Sequence, residues 1–335
     1  MLRAALVALP VLVPLLAAYL IADPFKVIYA HDDYFPNPAA VGLRVSVNKG
    51  MATVRNYERQ VAQGRNYNAF IFGSSISCYY SPEEWAEILG ADARPYHFDS
   101  SSETLVQMGQ KAEYLHNRGS EIKYALVVLD PWIMLGRDED SPFSINPPEV
   151  QPSLAHIMKF HYTFFRASMN ADFLKSYIYS IFAGEPLEIG RNKVFEDQPI
   201  VYDSLTNHKS VPLWDSIIAQ DPAGFYAAHP LMPSPATSEQ AAEAIDNKSH
   251  LALEAMARIF AADGTDYEVI IGPNRRKLTL NDKDLHKLQT IFGASHVHDF
   301  SRIWVNELEA DTMLYDNVHY RPVFASRLLH AAYDR

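Results

Sequence analysis

The stretch YNAFIFGSS, residues 67–75, decides how this chain is read. Ala69 to Phe72 is a short apolar run closed by Gly73, Ser74 and Ser75. Such a run, bounded by turn residues, fits a strand buried on both faces. KYALVVLD (123–130) repeats the pattern without ambiguity, and YEVIIGP (267–273) repeats it again. RPYHFDS (94–100) and SHVHDFS (295–301) are weaker strands. Helical segments lie between them. SPEEWAEILG (81–90) offers Ser81 as N-cap, Pro82 at the first position, Glu83 and Glu84 in the first turn and Gly90 as stop. Residues 103–118 carry Leu105, Met108, Ala112 and Leu115 at helical spacing, and further helices are expected near 238–262, 280–292 and 322–333. Strands alternating with helices predict an α/β fold, a mostly parallel sheet with helices on both faces.

The rhythm breaks at 136–236. That block holds eleven of the chain's 21 prolines, so it is read as an insertion capping the main domain rather than as more βα units. Within it, FHYTFFRASMNADFLKSYIYSIF (160–182) is aromatic and helical in pattern. Its rings are read first as insertion core, with a sugar platform or a membrane contact as the alternative.

Residues 4–22, AALVALPVLVPLLAAYLIA, carry no charge. Nineteen helical residues span roughly 28 Å, close to the ~30 Å of a bilayer's hydrocarbon core. The exit, YLIADPF, is a poor cleavage site, so an anchor is preferred to a cleaved signal. Arg3 precedes the span, and Asp23, Lys26, Asp32 and Asp33 come after it. The expected layout is an anchor at 1–22, a juxtamembrane arm at 23–66 and an α/β domain at 67–335. The N-terminus would lie in the cytoplasm and the domain outside, in the periplasm.

The net charge of -11, with no lysine or arginine run, excludes the footprint of a nucleic-acid binder. Cys78 is the only cysteine, which excludes an internal disulfide or a thiolate zinc cluster. HVHD (His296, His298, Asp299) lacks a third ligand at recognisable spacing, so neither a metal nor a cofactor is expected.

In a parallel sheet, ligands bind beyond the carboxyl ends of the strands. The first strand ends in Ser74 and Ser75, and the second leads into DSSSET with Ser100, Ser101 and Ser102. The third ends in Asp130-Pro131-Trp132, and the fourth in GPNRRK with Asn274, Arg275 and Arg276. YDNVHY, with Asp316 and His319, precedes the last helix. A serine hydroxyl is a poor nucleophile until a base, itself oriented by a carboxylate, takes its proton. Asp316 and His319, three apart, suit those two roles and Ser75 suits the third. Backbone N–H groups at the start of a helix after Ser75 would stabilise an oxyanion. Arg275 and Arg276 would grip an anionic sugar or carboxylate, or else lie on a solvated loop.

IFGSS and YDNVH together resemble the first and last blocks of SGNH (GDSL-type) hydrolases, across residues 67–135 and 240–335. The resemblance implies a flavodoxin-like sheet and a triad of Ser75 as nucleophile, His319 as base and Asp316 as orienting acid. With the apolar N-terminus, the chain is similar in style to membrane-anchored proteins that acylate polysaccharides, those of alginate O-acetylation and of D-alanyl transfer to teichoic acid. The resemblance thus implies an O-acyltransferase, most simply an acetyltransferase. It would act on a polysaccharide acceptor beside a polytopic membrane-bound O-acyltransferase as donor. A tethered carbohydrate or serine esterase and a non-catalytic polysaccharide-binding or scaffold subunit stand as alternatives. Three departures are visible. Ser74 replaces the family's aspartate, the second-block glycine has no counterpart, and LDPW stands where Gly-x-Asn-Asp would fall. Ser74, Ser100, Ser101 and Ser102 are therefore the candidates to line the oxyanion site.

Overall fold

The computed structural model describes residues 2–31, 34, 44–45, 47–136, 139–184, 187, 195–196, 199–302 and 311–334. Asp32 and Asp33 lie outside the described residues. Five strands, β1 (Ala69–Gly73), β2 (Pro95–His97), β3 (Tyr124–Leu129), β4 (Asp266–Ile271) and β5 (Val297–Asp299), form one wholly parallel sheet. Their spatial order is β5-β4-β3-β1-β2. From β1 the chain winds first to one side and then to the other. The carboxyl ends of β1 and β3 therefore flank a topological switch point, where doubly wound sheets bind ligands.

The helices are α1 (Leu2–Ala22), α2 (Lys49–Ala62), α3 (Pro82–Leu89), α4 (Leu105–Asn117), α5 (Pro131–Met134), α6 (Leu154–Ser168), α7 (Ala171–Ala183), α8 (Pro212–Gln220), α9 (Pro222–Ala228), α10 (Asn247–Asp263), α11 (Asp282–Phe292) and α12 (Pro322–Tyr333). Successive strand residues alternate between two cores, as the period of two requires. Phe70, Phe72, Val127 and Ile271 pack with α2, α4, α10 and α11. Ala69, Ile71, Leu126 and Ile270 pack with α3, α8, α9 and α12. The predicted caps are present: Ser81 Oγ accepts the Glu84 amide at 3.2 Å, and Gly90 ends α3.

Two stretches differ from expectation. Residues 23–66 contain α2, whose Val54 and Tyr57 enter the main core. Its polar composition hid this, because its buried polar groups find specific partners: Asn56 bonds Tyr96 and Lys49 pairs with Asp99. The segment 160–182 is two helices, broken at Asn170. That side chain accepts the amides of Asp172 (3.0 Å) and Phe173 (3.1 Å) and so starts α7. A third core joins Tyr19 and Phe25 to Met51 of α2 and to Phe160, Phe164 and Phe173 of α6 and α7. Among the described residues, no helix is long and apolar enough to cross a membrane. The side chains of residues 2–9, 11 and 12 of α1 are not among those described.

Candidate active site

Ser75 leaves β1 through Gly73 and Ser74. A side chain at Gly73 would place its Cβ 2.6 Å from Ser77 Cβ and 2.8 Å from the Val128 carbonyl oxygen. Glycine is thus needed for the chain to turn this close to β3. The turn is then locked, because the Ser74 carbonyl accepts both the Ser77 amide (2.9 Å) and the Ser77 hydroxyl (2.7 Å). The chain continues into a single 3-10 turn, Ser77–Tyr79, and not the longer helix start expected. The amides of Ser75 and Ile76 donate to no other group among the described residues.

His319 Nε2 lies 2.9 Å from Ser75 Oγ. Asp316 Oδ2 lies 2.8 Å from His319 Nδ1, and Oδ1 accepts the amides of Val318 and His319, each at 2.8 Å. The three residues form one continuous hydrogen-bonded chain. Burial alone would raise the Asp316 carboxyl. The His319 ring and the two amides overcome that and hold it at about 2. The carboxylate thus stays charged at ordinary pH, the state that fixes the proton on Nδ1 and leaves Nε2 facing Ser75.

The segment around His319 is braced from three sides. Leu314 and Tyr320 pair across the turn. Tyr79 packs edge-on against the His319 ring, with centroids 5.8 Å apart. The Tyr80 and Tyr320 hydroxyls meet at 3.1 Å, tying the turn to the segment after Ser75. The insertion adds further ties. Asp215 of α8 accepts from Arg321 Nε (2.8 Å) and from the Tyr315 hydroxyl (2.5 Å), and Asn317 accepts the Met232 amide at 2.7 Å. Sequence reasoning missed Asp215 because nothing local marks a contact made across about a hundred residues.

The remaining candidates divide. Ser74 is buried and looks into a small cavity with Glu103 and Asp130. Ser100 is fully buried, its amide donating to the Gly73 carbonyl at 3.2 Å. Ser101 is half-buried, and Ser102 is exposed in a left-handed conformation. Asp130 Oδ1 accepts the Trp132 amide at 2.7 Å, so this acid starts α5. Asn274 closes its own loop by bonding both the amide and the carbonyl of Leu278. Arg275 Nε donates to the Met232 carbonyl at 2.9 Å. The Arg276 guanidinium lies 3.6 Å above the half-exposed Trp132 ring, a cation–π pair joining α5 to the loop after β4. His298 bonds the buried Glu268 at 2.7 Å, and no three metal-ligating groups converge among the described residues.

Beneath the loop after β2 lies a charged layer that the sequence did not announce. Lys49 pairs with Asp99, and Lys111 with Glu103 at 2.8 Å, all four buried. His97 stacks on His208 at 5.4 Å, and burial pushes its ring down to about 3, so it is neutral. Burial raises the Glu103 carboxyl to about 7, against the pull of Lys111.

No protein-family model matches the chain, and no curated protein matches it.

Proposed function

We propose that the chain is a serine-dependent O-acyltransferase acting on an exported or cell-surface polysaccharide. Its α/β domain would sit outside the cytoplasmic membrane and be held there by residues 4–22. The observation that carries this is the unbroken chain Ser75–His319–Asp316 at 2.9 and 2.8 Å. The strand order supports it, since the serine falls at the switch point, as the resemblance to SGNH hydrolases implies.

Ser75 Oγ attacks the acyl carbonyl while His319 Nε2 takes its proton. The carbonyl pair moves onto oxygen, where the Ser75 and Ile76 amides stabilise it. Collapse expels the donor's leaving oxygen, which takes the proton back from Nε2. The acyl group is then an ester of Ser75. A sugar hydroxyl, deprotonated by the same nitrogen, attacks that ester and restores the serine. Water in place of the sugar would make the same centre an esterase. The Arg276–Trp132 pair would offer a flat face and a positive charge to the acceptor.

The full chain in detergent, given a small acetyl ester, should show a burst followed by slow turnover. Added acceptor oligosaccharide should raise turnover and appear acetylated. Ser75→Ala should lose roughly 10³-fold or more in rate. An unchanged rate in that variant would sink the proposal, and faster turnover without acetylated sugar would leave only hydrolysis.

A further inference from the structure

Helices α6 and α7 carry large apolar side chains on both their inner and their outer faces. Their inner faces bury Phe160, Phe164 and Phe173. Their outer faces carry Leu154, Met158 and Tyr162, four apart on α6, and Ile178, Ile181 and Phe182 on α7. Met158 is 65% and Phe182 86% exposed. A cluster of large apolar side chains on an outer helix face ordinarily marks a contact with a protein or a membrane. Among the described residues, this outer side lies open.

Two observations bear on what would cover it. The first is continuity with α1. Tyr19 packs edge-on against Phe165 at 5.5 Å, and Phe25 stacks on Phe173 at 4.7 Å. The exposed Val13, Leu16 and Leu20 of α1 thus belong to a helix whose last turns meet this hairpin. The second is charge. Residues 154–183 hold three basic side chains (Lys159, Arg166, Lys175) and one acidic (Asp172), in a chain of net charge -11. Lys159 shares its charge with Asp140 at 2.5 Å, while Arg166 and Lys175 are exposed.

We propose that the outer face of α6–α7 lies on a lipid bilayer bearing anionic headgroups, beside α1. Apolar side chains enter the acyl boundary. Tyr162 and Tyr179 sit at headgroup level, and the lysine and arginine stems reach up to the phosphates. The inference rests on the proposed anchoring by residues 4–22, since α1 brings the hairpin to the bilayer. A single helix would let the domain swivel. A second seat fixes its tilt and holds the Ser75 site at a constant height over the membrane.

The test uses the full chain in vesicles of equal phosphatidylcholine and phosphatidylglycerol. A thiol-linked fluorophore is placed at Met158→Cys or Phe182→Cys, with Val13→Cys reporting the anchor and exposed Leu251→Cys on α10 as control; native Cys78 is buried. Lipids brominated on their acyl chains should quench the labels at 158 and 182 at least about twofold more than the label at 251. Quenching should weaken in phosphatidylcholine alone. Quenching at 13 with none at 158 and 182 would overturn the hairpin proposal while leaving the anchor standing. Quenching at none of the three would overturn both. Shielding at 158 and 182 that grows with protein concentration, without lipid quenching, would assign the face to a second copy and overturn the proposal too.

Discussion

Asp316 works by what it does to its neighbour. Its carboxyl is held at about 2, against 3.8 for a free side chain. A depressed acid contributes stability that is fully present above the unfolded value and is lost as pH falls toward the folded one, here from about 4 to about 2. The carboxylate is therefore charged at neutral pH, where the proposed base His319 would act. Asp316→Asn should keep the fold and lower the burst rate roughly 10²- to 10⁴-fold, as rapid-quench measurements would show. Gly73 is a residue of shape. Gly73→Ala would drive a methyl into Ser77 and the Val128 carbonyl, costing about 1–3 kcal/mol in thermal unfolding and misplacing Ser75. Ser75, His319 and Asp316 were legible as residue types, the serine at a strand end and the other two just before the last helix. The glycine's reason was not, because it depends on how closely β1 and β3 pack.

Among elements, α8 acts as a brace. Asp215 in α8 grips Tyr315 and Arg321 on either side of the Asp316–His319 turn. Asp215→Ala should lower kcat by about tenfold or more with little change in KM, with thermal unfolding reporting only a modest loss. Equal loss in a variant and in its Ser75→Ala double would show that the brace does not act through the triad. The buried layer beneath β2 gives a pH signature. The Glu103 carboxyl is raised to about 7 from 4.5, so the folded state holds a proton there that the unfolded state has released. Its contribution is fully present below about pH 4.5 and fades as pH rises through about 7. Glu103→Gln should therefore gain melting temperature relative to the native chain as pH is raised from 5 to 8. Strand and helix patterns were legible because apolar period and caps are local. The layer of Lys49, Asp99, Glu103 and Lys111 was not, since charged residues read as surface until packing pairs them.

At the scale of the molecule, one sheet brings residues from opposite ends of the chain to one edge. Ser75 and His319 are 244 positions apart and meet at 2.9 Å. Sequence order suggested the meeting, and the order β5-β4-β3-β1-β2 supplies its physical cause. The oxyanion donors were the least legible part, because backbone amides carry no side-chain signal; the amides of Ser75 and Ile76, which donate to no other group among the described residues, are the ones proposed for the gap that the departures left. The proposed reaction passes through an acyl ester of Ser75. The direct measurement is mass spectrometry of the full chain, mixed with a small acetyl ester and quenched in acid. The expected result is one acetyl group on the peptide containing Ser75, absent in Ser75→Ala and reduced in Asp316→Asn. No acetyl group, or one placed elsewhere and retained in Ser75→Ala, would contradict the account.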